Sequence, residues 1–214
     1  MWLLIRLIFS LFLSYIIGSV PTAYLFGRFF KGIDIRKHGS KNVGATNAIR
    51  VLGKGPGIAV LIIDILKGIL AVSFVSHFFG LEERVGVLVC LGIAAVAGHN
   101  WTLFLEFKGG KGVATSLGVL VGLMIEIPPL RAVVALAILV WFAIFLMTGF
   151  VSLSSICTSI CLPFFMVFSR QDFPLVFLGI FLCIFIVLRH RSNIKRLLSR
   201  TEPRVPLPFK KVKK

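Results

Sequence analysis

Long apolar stretches broken by short basic loops constrain this chain before any single residue does. About 20 consecutive apolar residues cross a bilayer as a helix, because only a backbone whose hydrogen bonds are internal survives in hydrocarbon. Seven such segments can be read, near 2–26, 57–79, 85–99, 113–127, 130–148, 151–169 and 173–189. They break at Pro21, at 53–57, at 82–84, in the loop before Val113, at Pro128-Pro129, at Thr148-Gly149 and at 170–172. Of 214 residues 57% are hydrophobic, which leaves no room for a soluble domain. The expected fold is an all-α polytopic membrane protein, a bundle of about seven transmembrane helices. It reads as a single helical domain over 1–199, with polar loops at 28–56, 99–112, 148–155 and 189–199 and a basic tail over 200–214. The N-terminal stretch resembles a signal peptide near Gly18 and Ser19, but Arg6 inside the apolar run and the basic loop beyond Pro21 argue against cleavage.

Charge orients the bundle. Lys and Arg number 24 against 8 acids, a formal net charge of +16. Residues 27–56 carry Arg28, Lys31, Arg36, Lys37, Lys41, Arg50 and Lys54 against Asp34, and the C-terminal end from Arg189 to Lys214 is richer still, with Glu202 as its acid. Seven spans with the N-terminus outside put both basic regions, the loop before Val113 and the C-terminus on the cytoplasmic side, as the positive-inside rule asks. The other face receives Glu82, Glu83, Arg84, Glu126, Arg170 and Asp172, which nearly balance. Such an excess suits anionic membrane lipids and anionic substrates; a nucleic-acid partner would need a soluble domain. Cys90, Cys157, Cys161 and Cys183 lie in apolar segments and read as small hydrophobes, neither disulfides nor metal ligands.

Three polar motifs interrupt this pattern. The stretch GHNWTLFLEFKGGKGVAT, 98–115, sets Gly109 and Gly110 between Lys108 and Lys111 just before an apparent helix start at Val113. Consecutive glycines can converge backbone N–H groups on an anion and reach positive φ without steric cost, and the helix N-terminus adds its dipole. The stretch HGSKNVGATNAIRVLGKG, 38–55, offers Ser40, Asn42, Thr46, Asn47 and Arg50 beside Gly39 and Gly44. Hydroxyls, amides and one guanidinium suit a phosphate and a polyol, while a solvated basic loop capping the next helix is an equal reading. In RHRSNIKRLL, 189–198, His190 and Asn193 fall three apart on one helix face, although anchoring at the membrane surface explains the cations by itself. Asp64 and Lys67, at i and i+3 within an apolar segment, are expected to pair. Ser152, Ser154 and Ser155 read as helix N-caps, His99 as an ordinary interfacial ring, and His77 and Glu82 as residues without a role.

Several chemistries drop out. Gly112 follows Lys111 where a nucleotide-binding P-loop needs Ser or Thr. Asp34, Asp64, Glu106 and Glu202 are too few and too scattered to hold Mg²⁺. The H-x-x-x-x-D pair of thioester-dependent acyltransferases is absent, and no Ser, His and Asp set presents itself. Neither a metal nor a cofactor is expected. Anion-binding donors poor in acids suit a substrate that is already activated and carries its own phosphate leaving group. A transporter of a phosphorylated metabolite is the competing class; it would need a site near the midplane open to both faces, where only Asp64 and Lys67 lie.

Taken together, GSKNVGATNAIRVLGKG, DILKG at 64–68, GHNWTLFLEFKGGKGVAT, VSLSSI at 151–156 and RHRSNIKRLL resemble the bacterial acyl-phosphate:glycerol-3-phosphate acyltransferases, the PlsY family, over nearly the whole chain. The resemblance implies a multi-pass protein of the bacterial inner membrane, its active site facing the cytoplasm. It would move a fatty acyl group from acyl phosphate to the 1-hydroxyl of glycerol 3-phosphate, giving lysophosphatidic acid for phospholipid biosynthesis. By the same resemblance Ser40, Arg50, Lys111 and Asn193 hold glycerol 3-phosphate. Thr46, Asn47, Gly109, Gly110, Ser155 and His190 receive the acyl phosphate, and Asn42, Gly44 and Lys108 support the loops; Asn47 and Asn42 either brace the loop or touch the phosphates. His190, Ser155, Thr46 and Lys111 are the candidate catalytic groups, with the hydroxyl's proton going either to His190 or to the donor's own phosphate oxygen. The chain departs from the family pattern at Lys41 and Arg200, where Gly is usual, and in a longer, more basic tail.

Overall fold

The structure, a computed structural model, describes residues 1–205; Lys210, Lys211, Lys213 and Lys214 of the basic tail lie outside the described residues. The described residues form helices and turns with no strand among them, and they cluster into two compact units, one ending at Pro128 and one beginning at Pro129.

The first unit opens with α1 (Trp2–Ser19) and α2 (Thr22–Lys31). Pro21 separates them because it has no N–H to donate and its ring crowds the preceding turn. The expected basic loop of 28–56 is instead largely helical: α2 runs on to Lys31, then come α3 (Ala45–Leu52) and α4 (Lys54–Ile69). The reason is amphipathicity. Ala48 and Leu52 of α3 enter an apolar cluster with Ala23, Ile35, Val43, Val60 and Leu105, while Thr46 and Arg50, one turn apart, stay exposed. α4 continues through a π turn at Leu70–Phe74 into α5 (Val75–Phe79). Hydroxyls reach carbonyls beside this irregular turn, Ser14 donating to Ala71 O at 2.8 Å and Ser73 to Gly122 O at 3.2 Å. α6 (Val85–Asn100) and α7 (Val113–Glu126) complete the unit. α4 and α7 meet at Gly68 and Gly118: a methyl on Gly68 would strike Thr115 O, and one on Gly118 would strike Ile65 O. Small residues at a crossing let helix backbones touch, the means by which helices associate where lipid removes the hydrophobic drive.

The second unit is α8 (Arg131–Thr148), α9 (Val151–Phe168), α10 (Phe173–Arg189) and α11 (Arg191–Leu198). Gly149, at φ 75°, reverses the chain between α8 and α9. α11 leaves α10 at 60°, with His190 in the break, so His190 and Asn193 do not share one unbroken helix as the spacing suggested. The start of the expected tail is docked onto this unit: Val205 N donates to Gly149 O at 2.9 Å, and the Arg204 guanidinium sits 4.8 Å from the Phe150 ring centroid.

Five described stretches are long and apolar enough to cross a membrane: Trp2–Lys31, Lys54–Phe79, Val85–Leu105, Pro128–Thr148 and Val151–Phe168. The bent pair of α10 and α11 makes a sixth, and Val113–Glu126 is apolar but shorter. These stretches fall where the apolar segments were read. Lys41 and Arg200 both adopt the left-handed backbone that favours Gly, at φ 60° and 58°. A side chain there costs about 1–2 kcal/mol, partly offset by the greater chain entropy that Gly loses on folding. Lys41→Gly and Arg200→Gly should each therefore raise stability by up to about 1 kcal/mol, read as a higher unfolding midpoint in detergent.

Candidate active site

In the first unit the loop from His38 to Gly44 is wound around one side chain. Asn47 is buried; its Oδ1 accepts Ser40 N at 2.8 Å, and its Nδ2 donates to His38 O at 3.1 Å, Asn42 O at 3.0 Å and, more weakly, Ile35 O at 3.4 Å. Of the two readings of Asn47, the bracing one is what its bonds express, since its amide is spent on the loop's own backbone. Gly39, at φ 58°, leaves room for it: a methyl there would strike Asn47 Oδ1. Gly44 begins α3, its carbonyl accepting Asn47 N at 3.1 Å and Ala48 N at 3.0 Å. The result is an exposed rim of Ser40, Lys41, Thr46 and Arg50 on a rigid base. Nearby, Arg36 clasps Asp34 through a 2.8 Å ion pair and lies over the Tyr24 ring; the hydrogen bond from Arg36 pulls the Asp34 carboxyl down to about 2.

The glycine motif differs from the expected nest. Gly109 N donates to Asn100 O and Gly110 N to His99 O, both at 3.1 Å, so these two amides are committed to the protein's own backbone. Positive φ falls elsewhere, at Glu106 (53°), Phe107 (60°) and Gly112 (78°). Gly109 and Gly110 are needed for close approach instead: a methyl on the first would strike His99 O, and one on the second His99 Nε2. Lys108 pairs with Glu106 at 3.2 Å at the exposed tip, which offsets its charge. Lys111 is half-buried where the motif turns into α7.

His99 is not the interfacial ring that its position suggested. It is buried, with Nδ1 3.1 Å from Thr115 Oγ1 and 3.8 Å from Asp64 Oδ1. Asp64 and Lys67 form the expected pair, at 2.8 Å and almost fully buried. No sequence signal joined His99 to them, because 35 or so residues and two helix ends intervene and only packing brings them together.

In the second unit Ser152, Ser154 and Ser155 are not N-caps; Phe150 holds that position, and the serines lie in the first turns of α9. Ser154 donates to Phe150 O and Ser155 to Val151 O, while Ser155 Oγ also accepts Trp141 Nε1 at 3.2 Å. His190 is buried, with Nδ1 2.7 Å from Ile186 O. A carbonyl can only accept, so Nδ1 carries hydrogen, and in the neutral ring the basic lone pair is on Nε2. Asn193 is held by Glu202, whose Oε1 accepts Asn193 Nδ2 at 2.6 Å and Ser152 Oγ at 2.7 Å, while Oε2 takes Arg196 Nε at 2.7 Å. Sequence reasoning gave Glu202 no part; its signal was a lone acid in a basic stretch.

Burial pushes the Glu202 carboxyl up, but the bonds from Asn193, Ser152 and Arg196, with the Arg196 charge, outweigh it and hold the group below the usual glutamate range. A folded-state pKa that is depressed confers stability fully present above the unfolded value of about 4.3 and lost as pH falls through the folded value. Glu202→Gln should lower the unfolding midpoint at neutral pH and flatten the loss of stability that the wild type shows below about pH 4.3. Thermal unfolding in detergent across acid pH checks both.

Over residues 8–200 the chain matches the family described as glycerol-3-phosphate acyltransferase. It is 45% identical over 190 residues to the glycerol-3-phosphate acyltransferase of Fusobacterium nucleatum, covering 89% of this chain and 93% of that protein. It is 46% identical over 192 residues to that of Desulforudis audaxviator, covering 90% and 92%. Among solved structures it resembles PlsY (YgiH), an integral membrane glycerol 3-phosphate acyltransferase, in its glycerol 3-phosphate form, with TM-score 0.83 and 38% identity over 94% of this chain and 96% of that one. The lysophosphatidic acid form of the same protein gives 0.80. These likenesses support an acyltransferase and lend nothing to a transporter. With its motifs, its helical fold and its sequence in agreement, the chain belongs to the glycerol-3-phosphate acyltransferase family of integral membrane enzymes.

Proposed function

We propose that the acyl donor is acyl phosphate and that the enzyme passes its fatty acyl group to the 1-hydroxyl of glycerol 3-phosphate. The observation that carries this reading is where the acids are. Asp34 is paired with Arg36, Asp64 with Lys67, Glu106 with Lys108 and Glu202 with Arg196. Every acid in or beside the motifs is thus tied to a cation, and the remaining functional groups are hydroxyls, amides, lysine, arginine and histidine. Such a set stabilises a phosphate leaving group and needs a donor already activated.

In the step, the 1-hydroxyl oxygen attacks the acyl carbonyl carbon and the bond from that carbon to the phosphate oxygen breaks. Lysophosphatidic acid and inorganic phosphate are formed. The hydroxyl's proton passes to a phosphate oxygen of the donor, with His190 Nε2 the alternative acceptor, held in the right tautomer by Ile186 O. In the first unit Ser40, Arg50 and Lys111 are assigned to the phosphate and hydroxyls of glycerol 3-phosphate, and Thr46 to the donor's phosphoryl group, with Gly109 and Gly110 lining the pocket that holds it. In the second, Asn193 is assigned to glycerol 3-phosphate and Ser155 and His190 to the donor. Asn42, Asn47, Gly44 and Lys108 support the loops. The basic motifs face the cytoplasm of a bacterial inner membrane, in a seven-span arrangement with the N-terminus outside, and anionic headgroups meet the exposed cations.

Purified enzyme should form lysophosphatidic acid from acyl phosphate and glycerol 3-phosphate; comparable turnover with acyl-CoA would overturn the donor assignment. Lys111→Ala removes a charge-assisted contact worth about 1.5–3 kcal/mol and should lower kcat/KM by roughly ten- to a hundredfold. For the orientation, single cysteines at positions 41, 111 and 193 should label from the cytoplasmic side and one at position 83 from outside; labelling of 41 and 193 from opposite sides would contradict it.

A further inference from the structure

Asp64, Lys67 and His99 are buried polar groups of the first unit that the reaction step above does not use. Asp64 Oδ1 takes Lys67 Nζ at 2.8 Å and Thr22 Oγ1 at 3.1 Å, and Lys67 Nζ also donates at 3.1 Å to Val20 O, beside the helix break at Pro21. His99 Nδ1 stands 3.8 Å from the same carboxylate oxygen, and Thr115 Oγ1 meets it at 3.1 Å. The opposite edge of the ring is packed against the glycine motif. A methyl on Gly110 would strike Nε2, would lie 3.0 Å from Cε1, and would come within 2.5 Å of Val43 O, part of the loop that Asn47 braces. The backbone of His99 accepts Gly110 N as well. A small pocket of about 10 Å³, room for roughly one water, opens beside the ring, lined by Thr22, Asp64, Lys67, Thr102, Gly109 and Gly110 among others.

We propose that His99 is a positioning residue for the acyl donor: its ring, bonded at Nδ1 to Thr115 and standing beside the Asp64–Lys67 pair, fixes where Gly110 stands against the 38–44 loop. This rests on the reading that Gly109 and Gly110 receive the donor's phosphoryl group. Two adjacent glycines form the most pliable backbone a chain can have, and a substrate loop must be held to within about 0.5 Å. A flat ring bonded along one edge gives such a loop a fixed stop along the other. An apolar pair in place of Asp64 and Lys67 would fill the space without the cost of desolvating two charges. It would also remove the carboxylate that stands beside Nδ1.

The test uses the full-length enzyme in detergent, with steady-state kinetics on acyl phosphate and glycerol 3-phosphate. His99→Asn keeps a polar atom near the Nδ1 position and deletes the edge against Gly110. It should raise KM for acyl phosphate by about tenfold, with KM for glycerol 3-phosphate within about twofold, as expected when a reacting group is misplaced by a fraction of an ångström. His99→Gln, whose amide reaches the Nε2 position, should recover most of the loss. A merely structural histidine would lower the unfolding temperature and leave the donor KM of the folded enzyme unmoved. If His99→Asn does not fold, Thr115→Val, which deletes the hydroxyl at Nδ1 and keeps the shape, should shift the donor KM in the same direction. Gly110→Ala separates the two layers of the argument. A wild-type donor KM in that variant would overturn the donor-loop reading and the positioning role with it. A raised donor KM there, beside wild-type values in His99→Asn and Thr115→Val, would overturn the positioning role alone.

Discussion

Neither hydrocarbon nor an apolar helix bundle offers solvent to a charge, so the ion pair of Asp64 and Lys67 dictates how the helices around it meet. Each member needs further partners, and each finds one where regular structure has failed. Lys67 takes the carbonyl of Val20 at the break before Pro21, and Asp64 takes the hydroxyl of Thr22 just beyond it. The Val20 carbonyl, which also accepts Thr22 N at 3.0 Å, thus becomes one of the groups that solvate the buried ammonium. Removing one partner from such a pair costs about 3–5 kcal/mol, which makes the break and the pair interdependent. Gly68, next to Lys67, then lets α7 lie directly on α4, and that contact carries Thr115 to the imidazole of His99.

The same device recurs at the irregular segments that carry the motifs. A loop without ladder hydrogen bonds has backbone groups to satisfy, and here one polar side chain satisfies several at once. Asn47 does so for 35–42, taking one amide and three carbonyls. Glu202 does so for side chains, gathering Ser152, Asn193 and Arg196 onto one carboxylate. These residues hold others in place and leave the exposed groups, Ser40, Thr46 and Arg50 in the first unit, to meet a ligand. A rigid support that holds polar groups in place is what differential binding of a transition state requires.

Most of the architecture was legible in the chain because helix formation in an apolar medium is local. The apolar segments, the break at Pro21, the Gly149 turn and the pairing of Asp64 with Lys67 three residues later all depend on near neighbours. The motif residues were legible too, since residue type and order alone point to phosphate chemistry. What composition hides is amphipathic rather than apolar: α3 reads as loop in the chain alone, since eight residues with an arginine and a threonine carry too little hydrophobicity to stand out, and its burial of Ala48 and Leu52 depends on Ile35, Val43 and Val60.

Tertiary structure alone decided what the glycines do. The sequence reads KGGKG as a nest of N–H groups, but glycine's missing side chain serves close approach equally well. The choice went to close approach because His99 and Asn100 turn their carbonyls back onto the loop and place an imidazole against Gly110. It likewise put Lys41 and Arg200 in left-handed backbone, which Gly adopts at less cost, and it gave Glu202 its three partners. Local propensity determines helices and turns; which polar atom answers which across tens of residues is set by how the helices pack, and no spacing rule along the chain encodes it.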